Sequence, residues 1–279
     1  MIKRLLPLLL LAILLAPRHA TAWNNHGHGT IAYIAEQNLT PTTREKCHEY
    51  LNHTLYYYAS WLDHWRFTEP YKHTTRWHAS IYNEKSELQN VPAMVVMMTD
   101  KIWNKMRDGG YKSLSDSLVT DNIKYLIHLV GDLHSPVHIV FNHSTAGKQH
   151  KHNQAFSVYW GKKRKRMSFH TFWDRGSQYM HPKWSYDDYW RNIDNYSKKK
   201  HATVIEGTPY TWGHEGAVNL REIYDLMPPE SYFDELPKAD IQRMREINDR
   251  QLVVGGYRLA HVLNTIFDEA YNTSKKKED

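Results

Sequence analysis

The sequence predicts an all-α fold class: a single mainly helical domain with a minor β-hairpin. Apolar residues recur every three or four positions in several long segments, as expected of helices that bury one face. Few stretches alternate between apolar and polar residues with the period of two that is typical of a strand. No linker rich in proline, glycine and serine divides the 279 residues into separate domains. The predicted helical segments are Ile31–Leu39, Val91–Met106, Asn122–Leu133, Val218–Leu226 and Ile241–Ala270.

The first 22 residues have the features of an export signal. Lys3 and Arg4 precede the apolar segment Leu5–Ala16, and small residues at positions 20–22 suit cleavage before Trp23. The apolar segment is shorter than the roughly 20 residues of a membrane-spanning helix. We therefore expect a cleaved signal peptide at residues 1–22, a functional domain at residues 23–279, a secreted or periplasmic location and no stable membrane association.

A short β-hairpin is predicted in the second half of the chain. Residues Ala155–Trp160 alternate between the two faces of a strand, and Met167–Phe169 follow the basic run Lys162–Arg166. Charge runs of this kind are usually solvated, so we interpret this one as the exposed tip of the hairpin.

Charge and cysteine content limit the classes of function. The formal net charge is +6, and Lys3, Arg4 and Arg18 in the predicted signal contribute three of these charges, which leaves +3. This is a weak electrostatic case for tight nucleic-acid binding, which normally requires a strong basic patch. Because Cys47 is the only cysteine, stability must come from packing or from bound metal rather than from an intramolecular disulfide.

One predicted helix carries an unusual pair of polar residues on an otherwise apolar segment. Either Thr120 or Asp121 can cap its start. At about 100° per residue, His128 and Asp132 share one face, opposite the apolar face, while His134 points elsewhere. A single such pair occurs often by chance, so each histidine alone is compatible with an ordinary core residue.

The same spacing returns later in the chain. Pro136 should end or kink the central helix, because it lacks the N–H that the helix needs, and so carry His138 back toward the pair. His170 and Asp174 then repeat the i, i+4 arrangement. Imidazole and carboxylate groups without thiols suit zinc bound through nitrogen and oxygen.

Further candidate ligands lie earlier in the sequence. Asp63 and His78 occur in short segments rich in aromatic residues. Cleavage of the signal would leave Trp23 with a free α-amine whose pKa near 8 allows it to lose its proton to a metal, close to His28. The alternative is a histidine-rich terminus exposed to solvent.

Taken together, the order Trp-x4-His, Trp-x-Asp-x-x-Arg, His, His-x3-Asp-x5-His, His-x3-Asp resembles the S1/P1-type zinc-dependent nucleases. The match runs from Trp23 to Asp174, and the closing Arg258-Leu259-Ala260 is also similar to that family. The resemblance implies the helical fold that these nucleases share with zinc-dependent phospholipase C.

The resemblance also implies three zinc ions as cofactors and assigns their ligands. The first zinc would be bound by Asp63, His78, His128 and Asp132. A close neighbour would be bound by the amine and carbonyl of Trp23, by His28, and by Asp132 as a bridge. A third, more distant zinc would be bound by His138, His170 and Asp174.

The implied reaction is hydrolysis of phosphodiester bonds in single-stranded DNA and RNA to 5′-phosphorylated products, with removal of phosphate from 3′-nucleotides. Asp63 would orient the nucleophile, and Arg66 matches a phosphate-contacting arginine whose planar fork suits phosphate. A surface salt bridge is the simpler role for Arg66. The expected partners are therefore single-stranded nucleic acid and 3′-nucleotides as substrates; no protein partner is evident, and a monomer is the default.

One departure from the family concerns base recognition. Family members often carry an aromatic residue where this chain has Ala79. Trp77, Tyr82 or Tyr159 could supply a stacking face instead, because single strands bind on aromatic platforms.

Two other functions remain open at this point. Zinc-dependent phospholipase C typically ends its ligand set with Glu and has a longer spacing after the N-terminal Trp, so Asp174 and the short distance from Trp23 to His28 favour the nuclease. A non-catalytic exported metal-binding protein could use the 19 histidines for sequestration. Such a protein would not need Arg66 beside the ligands.

Overall fold

Most of the described chain is helical, which confirms the predicted fold class. The computed structural model describes residues 25–77, 80–82, 94–141 and 156–275. The predicted signal peptide therefore lies outside the described residues. The helices are α1 Asn25–Gln37, α2 Pro41–Leu51, α3 Leu55–Tyr58, α4 Trp61–Trp65, α5 Met94–Met106, α6 Asp116–Leu133, α7 Phe169–Asp174, α8 Gly176–Met180, α9 Tyr186–Ile193, α10 Lys198–Val204, α11 Pro209–Leu226, α12 Lys238–Phe267 and α13 Glu269–Lys275.

Two small sheets accompany the helices. Strand β3 (Ser157–Trp160) pairs antiparallel with β4 (Lys165–Ser168), which confirms the predicted hairpin. Strand β1 (Ser80–Tyr82) pairs in parallel with β2 (Ile139–Phe141), and the sequence did not predict this pair. Its strands have three residues each, too few for a period of two to be recognised.

The long helix α12 holds the two ends of the described chain together. Leu252, Leu259 and Leu263 on this helix are fully buried, and burying each contributes about 1.5–3 kcal/mol. Helix α1 lies directly against it: a Cβ on Gly256 would stand 2.5 Å from Cγ2 of Ile34. Glycine at this position therefore allows the two helices to approach closely.

The central helix α6 starts earlier than the sequence predicted. Ser115, in an extended conformation, precedes its first turn, so the prediction of a cap at Thr120 or Asp121 was wrong. Thr120 instead lies within the helix and donates a hydrogen bond to the carbonyl oxygen of Tyr50. Residues 116–118 of the first turn are exposed and Val119 is the first buried residue of the helix, which is why the apolar pattern indicated a later start.

The end of α6 agrees with the prediction. The helix stops at Leu133, and a 3-10 turn over Pro136–His138 follows. This turn leads into β2 and keeps His138 buried. Other 3-10 turns cover Tyr71–Thr74, Gly110–Ser113 and Phe233–Glu235.

Among the described helices, none combines the length and the apolar character that crossing a membrane would require.

Candidate metal centre

Helix α6 presents His128 and Asp132 to a buried space between helices. Nε2 of His128 lies 3.3 Å from Oδ2 of Asp132. Nδ1 of the same ring lies 3.0 Å from the carbonyl oxygen of Ala59. Because a carbonyl only accepts, Nδ1 carries the proton and Nε2 is left as a donor atom for a cation. The sequence could not predict the contact with Ala59, because the carbonyl oxygen of the backbone makes it and not a side chain.

Helix α1 adds His28 to this group. Nε2 of His28 lies 3.3 Å from Oδ1 of Asp132, and its ring stacks on that of His128 with centroids 4.4 Å apart. A Cβ on Gly131 would stand 2.4 Å from Nδ1 of His28. Gly131 therefore leaves the space in which this ring sits. The sequence could have indicated the importance of Gly131, because a glycine inside a helix lowers helix stability by about 1 kcal/mol relative to alanine.

The short helix α4 brings in Asp63, and Arg66 follows at its end. Oδ1 of Asp63 lies 3.7 Å from Nε2 of His128, and Oδ2 lies 4.0 Å from Nε2 of His28. Nη2 of Arg66 lies 3.2 Å from Oδ1 of Asp63. Arg66 is 1% exposed, so this ion pair belongs to the buried group and not to the surface.

A second group forms around helix α7. Ser168 caps the helix by accepting a hydrogen bond from the backbone N–H of Thr171, which fixes the turn that carries His170. Nε2 of His170 lies 3.0 Å from Oδ2 of Asp174. Nε2 of His138 lies 3.7 Å from the other oxygen, Oδ1. The three side chains are buried.

Asp132 connects the two groups. Its Oδ1 lies 3.8 Å from Nε2 of His138, in addition to the contacts with His28 and His128. A single carboxylate thus lies against three imidazole rings that come from α1, from α6 and from the turn after α6.

The carboxylates of Asp132 and Asp174 stay ionised. Burial alone would raise the pKa of Asp132, but His128 and His138 hold it well below its usual range. Asp174 follows the same pattern, because burial raises its pKa and His170 and His138 together more than reverse that effect. Burial, reinforced by His128, lowers the pKa of His28 and favours its neutral form. Anionic oxygens beside neutral imidazole are the ligand set that zinc takes.

The buried charges also lack ordinary hydrogen bonds. Within the described part of the chain, no carboxylate oxygen of Asp63, Asp132 or Asp174 accepts a hydrogen bond. Buried polar groups are almost always satisfied, so these oxygens indicate a partner such as a cation. Ligand atoms of His28, Asp63 and His128 lie within 4.8 Å of one another, as do those of the second group. The residues therefore fit bound metal.

The structure brings together most of the residues that the sequence nominated as ligands. Their roles as ligands remain predictions. Trp23, His78 and Ala79 lie outside the described residues. The nominated residues that meet are His28, Asp63, His128, Asp132, His138, His170 and Asp174.

His134 lies apart from both groups. Its Nδ1 is 2.7 Å from the carbonyl oxygen of Val130, and its Nε2 is 3.1 Å from Nη1 of Arg258. Burial and the charge of Arg258 lower the pKa of His134 to about 3. Arg258 also donates to Glu215. The sequence predicted the different direction of His134 but not this buried network.

The aromatic residues considered for base stacking are engaged in packing. Trp77 is half-buried and lies edge-on to Tyr125, with ring centroids 5.3 Å apart. Tyr159 stacks on Tyr232 at 4.6 Å and donates a hydrogen bond to Glu230. The side chain of Tyr82 is outside the described part of the structure.

A mainly helical protein with two adjoining buried groups of imidazole and carboxylate ligands is a candidate metalloenzyme. The chain belongs to the S1/P1 nuclease family, because the family model described as S1/P1 Nuclease matches residues 23–268. Members of this family are zinc-dependent, and membership implies a hydrolase that acts on phosphodiester bonds.

A curated relative agrees with this assignment. The chain is similar to "Nuclease S1" of Aspergillus oryzae (strain ATCC 42149 / RIB 40), with 25% identity over 155 residues. The matched part is 48% of this chain and 50% of the relative, so the chain spans about half the length of the curated relative it matches.

Proposed function

We propose that the chain is an exported zinc-dependent endonuclease. It hydrolyses phosphodiester bonds of single-stranded DNA and RNA to 5′-phosphorylated products, and it removes phosphate from 3′-nucleotides. The observation that carries this proposal is the carboxylate of Asp132, held between His28 and His128 in a chain of the S1/P1 nuclease family. Cleavage of residues 1–22 and a secreted or periplasmic location are part of the proposal.

Three zinc ions are proposed, with ligands as follows. The first zinc would be bound by Asp63, His78, His128 and Asp132. The second would be bound by the amine and carbonyl of Trp23, by His28, and by Asp132. The third would be bound by His138, His170 and Asp174. The two oxygens of Asp132 support a bridging role, since Oδ1 faces His28 and Oδ2 faces His128.

When bound, the metal supplies Lewis-acid chemistry that polarises the phosphoryl group and activates water. The remaining steps depend on side chains of this chain. The carboxylate of Asp63 lies between Arg66 and His128, so it can accept a hydrogen bond from the attacking water and orient it. The buried carboxylates also keep the centre anionic, which favours a bound cation over an empty site.

Arg66 binds the phosphate of the substrate. Its guanidinium offers several donors in a planar fork, and one of them, Nη2, already faces Asp63. Because Asp63 and Arg66 are held one helical turn apart, the group that orients water and the group that binds phosphate have a fixed separation.

The proposal is tested with the protein that starts at Trp23. Hydrolysis of single-stranded DNA is measured before chelation, after removal of zinc, and after zinc is restored. Activity that is lost and then recovered is expected. A protein that binds zinc but hydrolyses no nucleic acid in any state contradicts the proposal.

The same preparations separate the two alternatives. Hydrolysis of a choline lipid, without hydrolysis of DNA, would identify a zinc-dependent phospholipase C. Zinc binding without hydrolysis of either substrate would identify a metal-sequestering protein. The Arg66→Ala variant adds a control: loss of catalysis with unchanged zinc content is expected if Arg66 binds substrate, and full catalysis would contradict that role.

A further inference from the structure

The tip of the β3–β4 hairpin holds its basic residues in two different ways. Arg164 pairs with Glu235 and lies over the ring of Tyr232, 4.0 Å from its centroid. Arg166 lies 3.8 Å from Glu230. These two arginines attach the hairpin to the segment before α12.

The three lysines of the tip have no ionic partner among the described residues. Lys162, Lys163 and Lys165 are exposed, and within the described residues their side chains form no ion pair or hydrogen bond. The five cations of the run face three nearby carboxylates, of Glu230, Asp234 and Glu235, which leaves an excess of two positive charges. The excess charge is carried by the lysines.

The hairpin is fixed in place. Backbone hydrogen bonds of 2.8 Å join Tyr159 to Ser231 and Glu230 to Ser157. On the other face, the ring of Trp160 stacks on that of Tyr179, 4.2 Å away. These contacts fix the strands that carry the lysines against the rest of the protein.

The hairpin leads directly into the metal centre. Strand β4 has four residues and is followed at once by α7, whose second residue is His170. Since a strand rises about 3.3 Å per residue, the tip lies about 13 Å from the first turn of α7. A polynucleotide bound at the second ligand group could extend over this distance, whereas a mononucleotide could not.

We propose that Lys162, Lys163 and Lys165 form an accessory site that binds the phosphate backbone of a single-stranded polynucleotide. This inference rests on the proposed function, because it names a contact that only a polymeric substrate makes. Lysine ammonium groups bind phosphates as point charges without reading sequence. The site therefore increases the affinity for long strands of any sequence.

The chain offers a matched control in a second run of three lysines. Lys198, Lys199 and Lys200 are also exposed, in the first turn of α10. Helix α10 packs against α12, where His201 contacts the ring of Tyr257. Replacing these lysines changes the net charge equally without touching the hairpin.

The experiment compares the zinc-loaded protein starting at Trp23 with two triple variants. In one, Lys162, Lys163 and Lys165 are changed to serine; in the other, Lys198, Lys199 and Lys200 are changed to serine. We measure kcat/KM for a thymidine oligonucleotide of about 20 nucleotides and for adenosine 3′-monophosphate, from about 50 to about 200 mM salt. Thermal melting verifies that each variant is folded.

The hairpin variant is expected to lower the ratio of the two kcat/KM values on the order of tenfold, by weakening oligonucleotide binding. The slope of log(kcat/KM) for the oligonucleotide against log salt should become shallower by about 2, since each phosphate contact on a single strand contributes about 0.7. The control variant should keep both quantities near those of the unmodified protein.

An unchanged ratio in the hairpin variant, or an equal fall in the control, would overturn the proposal. If the unmodified protein hydrolyses neither substrate, the proposed function fails, and fluorescence anisotropy of the same oligonucleotide then decides the inference alone. Equal binding by all three proteins would overturn it. So would loss of binding to phosphatidylglycerol vesicles with unchanged oligonucleotide binding, because the lysines would then serve a lipid surface.

Discussion

The carboxylate of Asp132 lies 3.3 Å from the imidazole of His28, although the two residues come from the central helix and from the first described helix. The other oxygen of the carboxylate is the same distance from His128. A group in this position can serve two cations at once, and it also fixes α1 relative to α6. Several consequences can be measured.

The first prediction concerns the charge of Asp132. The Asp132→Asn variant keeps the size of the side chain but loses the anion that faces three imidazoles. We expect zinc content per chain to fall and hydrolysis of single-stranded DNA to drop more than about 100-fold, since even outer partners of metal ligands contribute 10- to 100-fold. Elemental analysis and initial rates provide the measurements.

The matched control is Asp249→Asn, because Asp249 also pairs with a histidine, His181, at 2.9 Å but outside the metal centre. This variant should keep its zinc and its activity. Full zinc content in Asp132→Asn would show that Asp132 is not a ligand.

A second prediction follows from the close approach of Gly131 to His28. Gly131→Ala should improve helix propensity by about 1 kcal/mol, yet its methyl group would stand 2.4 Å from Nδ1 of His28 and displace the ring. We expect zinc affinity to fall about 10- to 100-fold, measured by competition with a chromogenic chelator. Gly216→Ala, whose nearest neighbour is Ile139 Cγ1 at 3.4 Å, should retain affinity. Equal affinity in the two variants would refute the steric argument.

The third prediction concerns the predicted terminus. A protein with one additional residue before Trp23 no longer carries the free amine on Trp23, so it should bind less zinc and lose most of its activity. The control carries the same additional residue after Asp279. Full activity in the N-terminally extended protein would exclude the amine as a ligand.

Removal of metal should also destabilise the fold. The proposed ligands join α1, α4, α6 and α7, and binding energy at such a site is also folding energy. We expect chelation to lower the melting temperature by about 10 °C, as a ligand at about 1,000 times its Kd contributes about 4 kcal/mol. An unchanged melting temperature after verified removal of zinc would contradict this.

The fifth prediction uses Cys47, which lies away from the centre and is 4% exposed. Burial raises the pKa of its thiol from 9.0 to about 12. The unfolded chain therefore releases this proton near pH 9 and the folded chain near pH 12. The contribution of Cys47 to stability is complete below pH 9 and falls by about 1.4 kcal/mol per pH unit above it.

Alkylation by iodoacetamide measures this directly. The rate in the folded protein should stay low and nearly constant from pH 7 to pH 10, while the rate in urea should rise near pH 9. Cys47→Ser provides the blank. A native rate that rises at pH 9 would mean that the thiol is accessible.

Much of the centre could be predicted because its residues follow a local period. His128 and Asp132, and likewise His170 and Asp174, are one helical turn apart, so their meeting follows from helix geometry. The end of α6 followed from the chemistry of proline at Pro136.

Other features depend on contacts between distant parts of the chain. The stacking of His28 on His128 and the space left by Gly131 require the packing of α1 on α6, which no local pattern contains. The parallel pairing of β1 with β2 is likewise a tertiary arrangement of two very short strands. The start of α6 was misplaced because solvent-exposed turns carry no apolar signal.

The packing of α12 against α1 has a consequence for the nascent chain. Ideal Cβ positions on Gly255 would approach Ile31 of α1 and His134 beyond α6 within 3.2 Å, so this last long helix holds both elements that supply the Asp132 cluster. Because α12 follows both elements in the sequence, a nascent chain contains α1 and α6 before the helix that packs against them has been synthesised. The Asp132 cluster should therefore assemble only after α12 has been made.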